Sequence, residues 1–202
     1  LSGAAMLEAL HGSGIPCEVD VQELMNLDSS NLQPEDWERM ARAVAGAHER
    51  YDGFVITHGT DTLAYTAAAL HQMLRNLGKP VIITGSQLPL GAAGSDGPRN
   101  LRDAFFVACE GVPGVFVVFH GDVIDGSRAK KMHTESFAAY ASVNAPLARI
   151  TPQGVQWKER RPLPAGPLEL VTGLERRVCV LKLVPGTSPA LLDMLVDAGY
   201  RG

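Results

Sequence analysis

Residues 54–77 constrain the fold of this chain more than any other stretch. A short β-branched apolar run, Phe54-Val55-Ile56, turns at Gly59 and presents Thr60, Asp61 and Thr62 just before LAYTAAALHQML, which has helical character. A buried strand that hands polar residues to a helix N-terminus is where open α/β sheets place their ligand sites. The first helical turn offers unpaired N–H groups and the positive dipole end, which suits an anionic group. Thr60-Asp61-Thr62 has two readings. One is ordinary N-capping, typically worth about 1 kcal/mol. The other is a site that orients a small polar substrate with Thr60 and Asp61. A single cap accounts for one residue, not for a glycine turn followed by three oxygen-bearing side chains.

The rest of the chain repeats this strand–helix grammar. A weak helical pattern over 3–11 ends at Gly12-Ser13-Gly14, and Cys17 to Leu27 alternates as a strand through Val19 and Val21. Asp28-Ser29-Ser30-Asn31 is a turn. Pro34 starts a helix with acids in its first turn, followed by Trp37, Met40, Ala41, Val44 and Ala47 at helical spacing. Gly53–Thr57, Pro80–Thr84 and Val115–Phe119 read as strands. Leu63–Leu77 and Asn100–Cys109 read as helices, the first stopped by Gly78 and Pro80. Gly91 to Pro98 is a glycine-rich loop, and Val123-Ile124-Asp125-Gly126 is hairpin-like. Several strands are apolar on both faces. The order predicts an α/β domain over 1–150: a mostly parallel sheet with helices on both faces, three-layered, flavodoxin-like or Rossmann-like. Residues 151–176 are Pro-rich, charged and non-periodic, and read as a linker with at most one hairpin, the Glu159-Arg160-Arg161 cluster being solvated. Arg177–Leu183 then reads as a strand and Ser188–Ala198 as a helix. One strand and one helix cannot bury their own faces, so 177–202 reads as the start of a second, smaller α/β domain.

Bulk properties exclude several classes. Of 202 residues, 46% are apolar and 20% charged, which supports a globular core rather than disorder. A net charge of −4 argues against a nucleic-acid partner. No apolar run approaches the ~20 residues of a membrane span, and no signal peptide is visible. Cys17, Cys109 and Cys179 are distant and odd in number, fitting a reducing compartment and small buried apolar roles. None of the six histidines is at helical spacing from another, so no metal site is expected.

Four loops that follow strands are expected on one edge of the sheet: Asp28-Ser29-Ser30, Gly59-Thr60-Asp61, Gly85-Ser86-Gln87 and Ser95-Asp96-Gly97. Lys131 is a fifth polar candidate. A hydroxyl with an amine and a carboxylate is a known way to activate a weak nucleophile: the amine takes the proton and the carboxylate orients it. Each residue also has a plain reading. Ser29 and Ser30 suit a turn, Ser86 and Asp96 a loop, Lys131 beside Lys130 a solvated charge, and His58 and His120 the core or its rim.

Motif resemblance shifts that balance. HGTDT resembles the second signature motif of the bacterial-type L-asparaginases, amidohydrolases that convert asparagine to aspartate and ammonia. DSSNLQPEDW, YDGFVITHGTDTLAYTAAAL, LGKPVIITGSQLP, SDGPRNLRDA, DGSRAKKMHT and LLDMLVDAGY resemble family segments in the family's order, and cover nearly the whole chain. LAYTAAAL and DSS are closer to the cytoplasmic type I members. The resemblance implies that Thr60, Asp61 and Lys131 activate the nucleophile or its water. It implies that Asp61 holds the substrate α-ammonium. Ser29 would hold the α-carboxylate, with Asp28 and Ser30 beside it, and the Ser86 carbonyl would face the leaving amide. It implies no cofactor, a small-molecule substrate (asparagine or glutamine), a cytoplasmic setting, and a homodimer or homotetramer. Two departures are visible: no Thr-Gly-Gly-Thr-like loop, which supplies the family's nucleophilic Thr, and a second domain that stops soon after it begins. The first strand is thus expected to be missing and this chain alone to be inactive. The rival readings are a glutaminase, an amidotransferase-type relative, and an asparagine- or aspartate-binding module without turnover.

Overall fold

The computed structural model describes residues 3–10 and 12–202; Leu1, Ser2 and His11 lie outside it. The chain divides into two compact units, residues 1–171 and 172–202. The first opens with helix α1 (Gly3–Leu10), a 3-10 turn at Ser29–Asn31 and helix α2 (Pro34–Ala47). Strand β1 (Phe54–Thr57), helix α3 (Leu63–Met73), strands β2 (Leu74–Arg75) and β3 (Pro80–Thr84), and helix α4 (Gly97–Cys109) follow. Then come β4 (Gly114–Phe119), β5 (Asp122–Asp125), β6 (Ala129–Lys131), β7 (Tyr140–Ser142), β8 (Ala148–Thr151), β9 (Gly154–Trp157) and β10 (Glu169–Leu170).

The main sheet runs β1-β3-β4-β5-β8-β9. Its core trio is parallel, with Phe54 opposite Val81 and Val81 opposite Val115. β5, β8 and β9 extend it antiparallel. The β4–β5 hairpin turns at His120 and Gly121, both with positive φ (50° and 84°), the primed geometry that matches strand twist. Side chains alternate across the pleat. Val81, Ile83, Val115, Val117 and Ile124 pack under Met40, Val44, Leu63, Leu70 and Met73 of α2 and α3. Ile82, Phe116, Val118 and Val123 pack under Ala104 and Val107 of α4. All five residues of β3 are buried, which explains its continuous apolar run: both faces are covered. The expected three-layer α/β domain with helices on both faces is the fold observed.

Several local expectations are corrected. Cys17–Leu27 forms no strand. A strand needs a neighbour to take its backbone bonds, and between this segment and the free edge of β1 lies a cavity of about 520 Å³, lined by Val19, Val21, Met25, Val55 and Thr57 among others. Helix α3 stops at Met73, four residues early; Leu74 and Arg75 instead pair antiparallel with β10, and Asn76 turns the chain at φ 53°. The 151–176 stretch is mostly built into the first unit rather than a linker. β8 and β9 continue the sheet, Trp157 meets Phe116 edge-on at 5.6 Å, and Arg161 pairs with the buried Asp125. Arg160 pairs with Glu110. All three cysteines are exposed rather than buried.

In the second unit, residues 177–183 form no strand. Two backbone bonds, Cys179 N to Gly202 O and Arg201 N to Arg177 O, both 2.7 Å, tie its ends. Helix α5 (Ala190–Asp197) buries none of its residues. No described helix is long and apolar enough to cross a membrane.

Candidate active site

Parallel neighbours end on the same side of a sheet, so β1 and β3 bring Gly59-Thr60-Asp61 and Gly85-Ser86-Gln87 together. Gly85 allows this. A Cβ there would sit 2.2 Å from the His58 carbonyl oxygen, so only glycine lets the two loops touch. The His58 N–H donates to the Thr84 carbonyl at 2.8 Å, continuing the ladder into the loops.

The Asp28-Ser29-Ser30 turn docks on the same loop. Asp28 Oδ1 accepts from Ser30 N at 2.8 Å, closing the turn. Thr62 occupies the N-cap position of α3 but makes no side-chain cap; its hydroxyl donates to the Ser29 carbonyl at 2.7 Å instead. The capping reading of Thr62 therefore gives way to one in which it anchors the neighbouring loop. Ser29 is buried, and its Oγ lies 2.7 Å from where a Cβ of Gly59 would stand.

Lys131 is not a solvated charge. It ends β6, its side chain is 16% exposed, and its Nζ donates to Thr60 Oγ1 at 2.9 Å and to Asp61 Oδ1 at 2.7 Å. The Lys131 bond, and next its charge, holds the Asp61 carboxyl below the usual carboxylate range. The other Asp61 oxygen faces the Ser30 hydroxyl at 3.4 Å. Asp61 itself is open to solvent, leaving it able to meet a ligand's cation.

Asp96 stands before α4 without capping it. Its carboxylate accepts from Gln87 N (3.0 Å) and Leu88 N (3.2 Å), and Asn100 Nδ2 bonds both Asp96 and the Gly85 carbonyl at 3.0 Å. This fixes the loop of Ser86, which lines the β1-edge cavity together with Gly59. Gln87 Nε2 donates to the Thr134 carbonyl at 2.8 Å, tying the loop to the segment after Lys131. Asp28, Ser29, Ser30, Gly59, Thr60, Asp61 and Lys131 thus converge, with Ser86 on the adjoining loop.

Sequence reasoning missed three supports. Tyr140 donates its hydroxyl to the Thr60 carbonyl, and Trp37 and Thr66 link to the ring of His58. Nothing local marks Tyr140. Trp37 and Thr66 sit on helix faces that read as core. Burial holds the His58 imidazole below its ordinary pKa, with its bond to the Gly59 carbonyl opposing. Among the described residues no group of three or more His, Cys, Asp or Glu could hold a metal ion.

Chemically, the cluster offers a hydroxyl in contact with an amine, the amine in contact with a carboxylate, and a second hydroxyl-bearing loop beside them. Such a set has the chemistry to move a proton from a weak nucleophile and to pair with a cationic group. The family model for the N-terminal part of asparaginase matches residues 1–163. The chain is 42% identical over 182 residues to L-asparaginase of Thermococcus kodakarensis, covering 90% of this chain and 56% of that protein. It is 39% identical over 191 residues to a glutamyl-tRNA(Gln) amidotransferase subunit of the same organism, covering 89% of this chain and 43% of that protein. The solved structure of the thermostable L-asparaginase from Thermococcus kodakarensis matches with a TM-score of 0.88 at 38% identity, covering 98% of this chain and 61% of that one. The chain spans about half the length of the curated relatives it matches.

Proposed function

The chain belongs to the asparaginase family, and on that premise we propose that the protein carrying it hydrolyses the side-chain amide of asparagine to aspartate and ammonia. The observation that carries this reading is Lys131 Nζ within hydrogen-bond reach of both Thr60 Oγ1 and Asp61 Oδ1. Thr60 accepts a proton from the attacking hydroxyl or water and passes its own to the Lys131 amine. The C–O bond forms at the amide carbon, the C–N bond breaks, and the relayed proton goes to the departing nitrogen as ammonia. Where a hydroxyl has attacked, water then cleaves the ester, its OH completing the aspartate carboxyl and its proton returning to the hydroxyl. Asp61 stays ionised beside Lys131 and takes the α-ammonium. Ser29 takes the α-carboxylate, with Asp28 and Ser30 shaping the turn, and Ser86 faces the leaving amide.

The attacking Thr, on this reading, belongs to a loop outside these 202 residues. The slot beside β1 suits the strand that would carry it, because it offers a free strand edge, apolar walls and an opening at Gly59 and Ser86. Residues 172–202 would begin the second domain, and a symmetric homo-oligomer would complete the site. The cytoplasmic setting rests on the type I likeness of LAYTAAAL and DSS.

Similarity to an amidotransferase component keeps a second reading in play, in which the released ammonia serves a partner. Asparagine and glutamine differ by one methylene, a difference pockets resolve by only ~1–3 kcal/mol. Ammonia release from asparagine, glutamine and succinamic acid separates the readings. Asparagine should have the highest kcat/KM and succinamic acid, lacking the amine that Asp61 would hold, the lowest. Equal rates on asparagine and succinamic acid remove Asp61 from substrate binding. Preference for glutamine favours the second reading. No release from any amide leaves binding without turnover.

A further inference from the structure

β6 and β7 form a two-stranded sheet in which Lys131 stands opposite Tyr140. Directly paired residues of an antiparallel ladder share a face, their Cβ atoms about 4.5–5.5 Å apart. Both side chains reach one residue. Lys131 Nζ donates to the Thr60 hydroxyl, and the Tyr140 hydroxyl donates to the Thr60 backbone carbonyl.

We propose that Tyr140 is a positioning residue: by holding the Thr60 carbonyl from the strand paired with β6, it sets the Thr60 hydroxyl against the Lys131 amine. The proposal rests on the amidohydrolase reading of this site. Thr60 lies in a loop, where neither helix nor ladder bonds fix its peptide plane. Two anchors from one cross-strand pair do so, one on the side chain and one on the main chain. The Tyr140 ring is 6% exposed and tilts against Phe119 at 5.0 Å between centroids, so the anchor is continuous with central strand β4. Burial first, then the Asp61 charge, pushes the phenol pKa up, so the hydroxyl remains a donor at neutral pH. Core packing asks only for the ring, which phenylalanine would supply. The hydroxyl is the part that packing leaves unexplained.

The test compares wild type, Tyr140→Phe, Lys131→Met and the double variant, in the complete protein that carries this chain. Tyr140→Phe should lower kcat for asparagine about ten- to a hundredfold, as small misplacements of reacting groups do. KM and Tm should stay near wild type, because the ring remains and water reaches the half-exposed Thr60 loop. The double variant should be no slower than Lys131→Met alone, since both substitutions act through one unit. A wild-type kcat in Tyr140→Phe overturns the proposal, as does a further loss in the double variant with a lowered Tm. NMR of the Lys131 side chain separates this from the functional reading. If wild type releases no ammonia from asparagine, that reading fails, and the NMR decides on Tyr140. A Lys131 resonance that moves in Tyr140→Phe supports positioning, and one that does not move overturns it.

Discussion

The hydroxyl of Thr66 lies 2.8 Å from Nε2 of His58. His58 Nδ1 faces the Gly59 carbonyl at 2.6 Å, and a carbonyl only accepts, so Nδ1 carries the proton and Nε2 takes one from Thr66. The Thr66 oxygen in turn accepts from Trp37 Nε1 at 2.9 Å. Every donor points one way, from α2 through α3 to the loop that carries Thr60.

Thr66 is fully buried, so Thr66→Val should leave His58 Nε2 and the Trp37 N–H without partners at little change in shape. The cost should be about 1–3 kcal/mol, the usual penalty for a buried polar group left unpaired. Urea unfolding measures it, and Thr66→Ser should recover most of the loss. Equal stability of the valine variant and wild type would mean the relay contributes nothing.

The same ring predicts a pH dependence. Burial holds His58 below the ordinary imidazole pKa of 6.5, and burial followed by the Arg161 charge does the same for His71. As pH falls through 6.5 the unfolded imidazoles take up protons while the folded ones stay neutral. The unfolded state then binds more protons, so stability is full above that value and declines below it. Unfolding followed from about pH 7.5 to 5 should show this slope, and His58→Gln and His71→Gln should each remove part of it. A flat wild-type profile contradicts the argument.

Thr60→Val and Lys131→Met each preserve bulk while deleting one end of the 2.9 Å contact. Each should reduce kcat at least ~10²–10⁴-fold, the usual worth of general-base assistance. The two together should cost little more than either alone. Near-normal ammonia release from either folded variant would take both out of the mechanism.

Two glycines should respond differently to alanine. At Gly85 the new methyl meets main chain, the His58 carbonyl at 2.2 Å, so the two loops must separate. Gly85→Ala should lose about 1–3 kcal/mol of stability, read by thermal unfolding. At Gly59 it meets the Ser29 side chain, Oγ at 2.7 Å and Cβ at 2.9 Å, and so displaces the turn that on the proposed reading holds the substrate α-carboxylate. Gly59→Ala should raise KM for asparagine with a smaller effect on Tm. The reverse pattern would place Ser29 in the scaffold and not in the binding site.

Local pattern alone determined the parallel core of this protein. Phe54-Val55-Ile56, Val81-Ile82-Ile83 and Val115 to Phe119 are short β-branched and aromatic apolar runs bounded by Gly and Pro, as buried strands are, and the helices between them follow from spacing and punctuation. The Gly59 turn with its hydroxyls and carboxylate was equally legible, because strand, turn and helix start are contiguous. Lys131 was one polar candidate among several, and its role came from motif resemblance, since beside Lys130 it has no local mark. Tertiary structure decided the rest. Val19 and Val21 alternate like a strand, yet among the described residues no strand pairs with them, and a cavity lies between them and β1. The Pro-rich stretch after 151 hides β9, whose place is set by Trp157 against Phe116. Thr60 meets Lys131 across 71 residues and Tyr140 across 80. Periodicity reports only which face of an element is apolar, reaching three or four positions along the chain. Contacts between separate loops depend on how strands order and cross over, and that is settled only when the whole sheet packs.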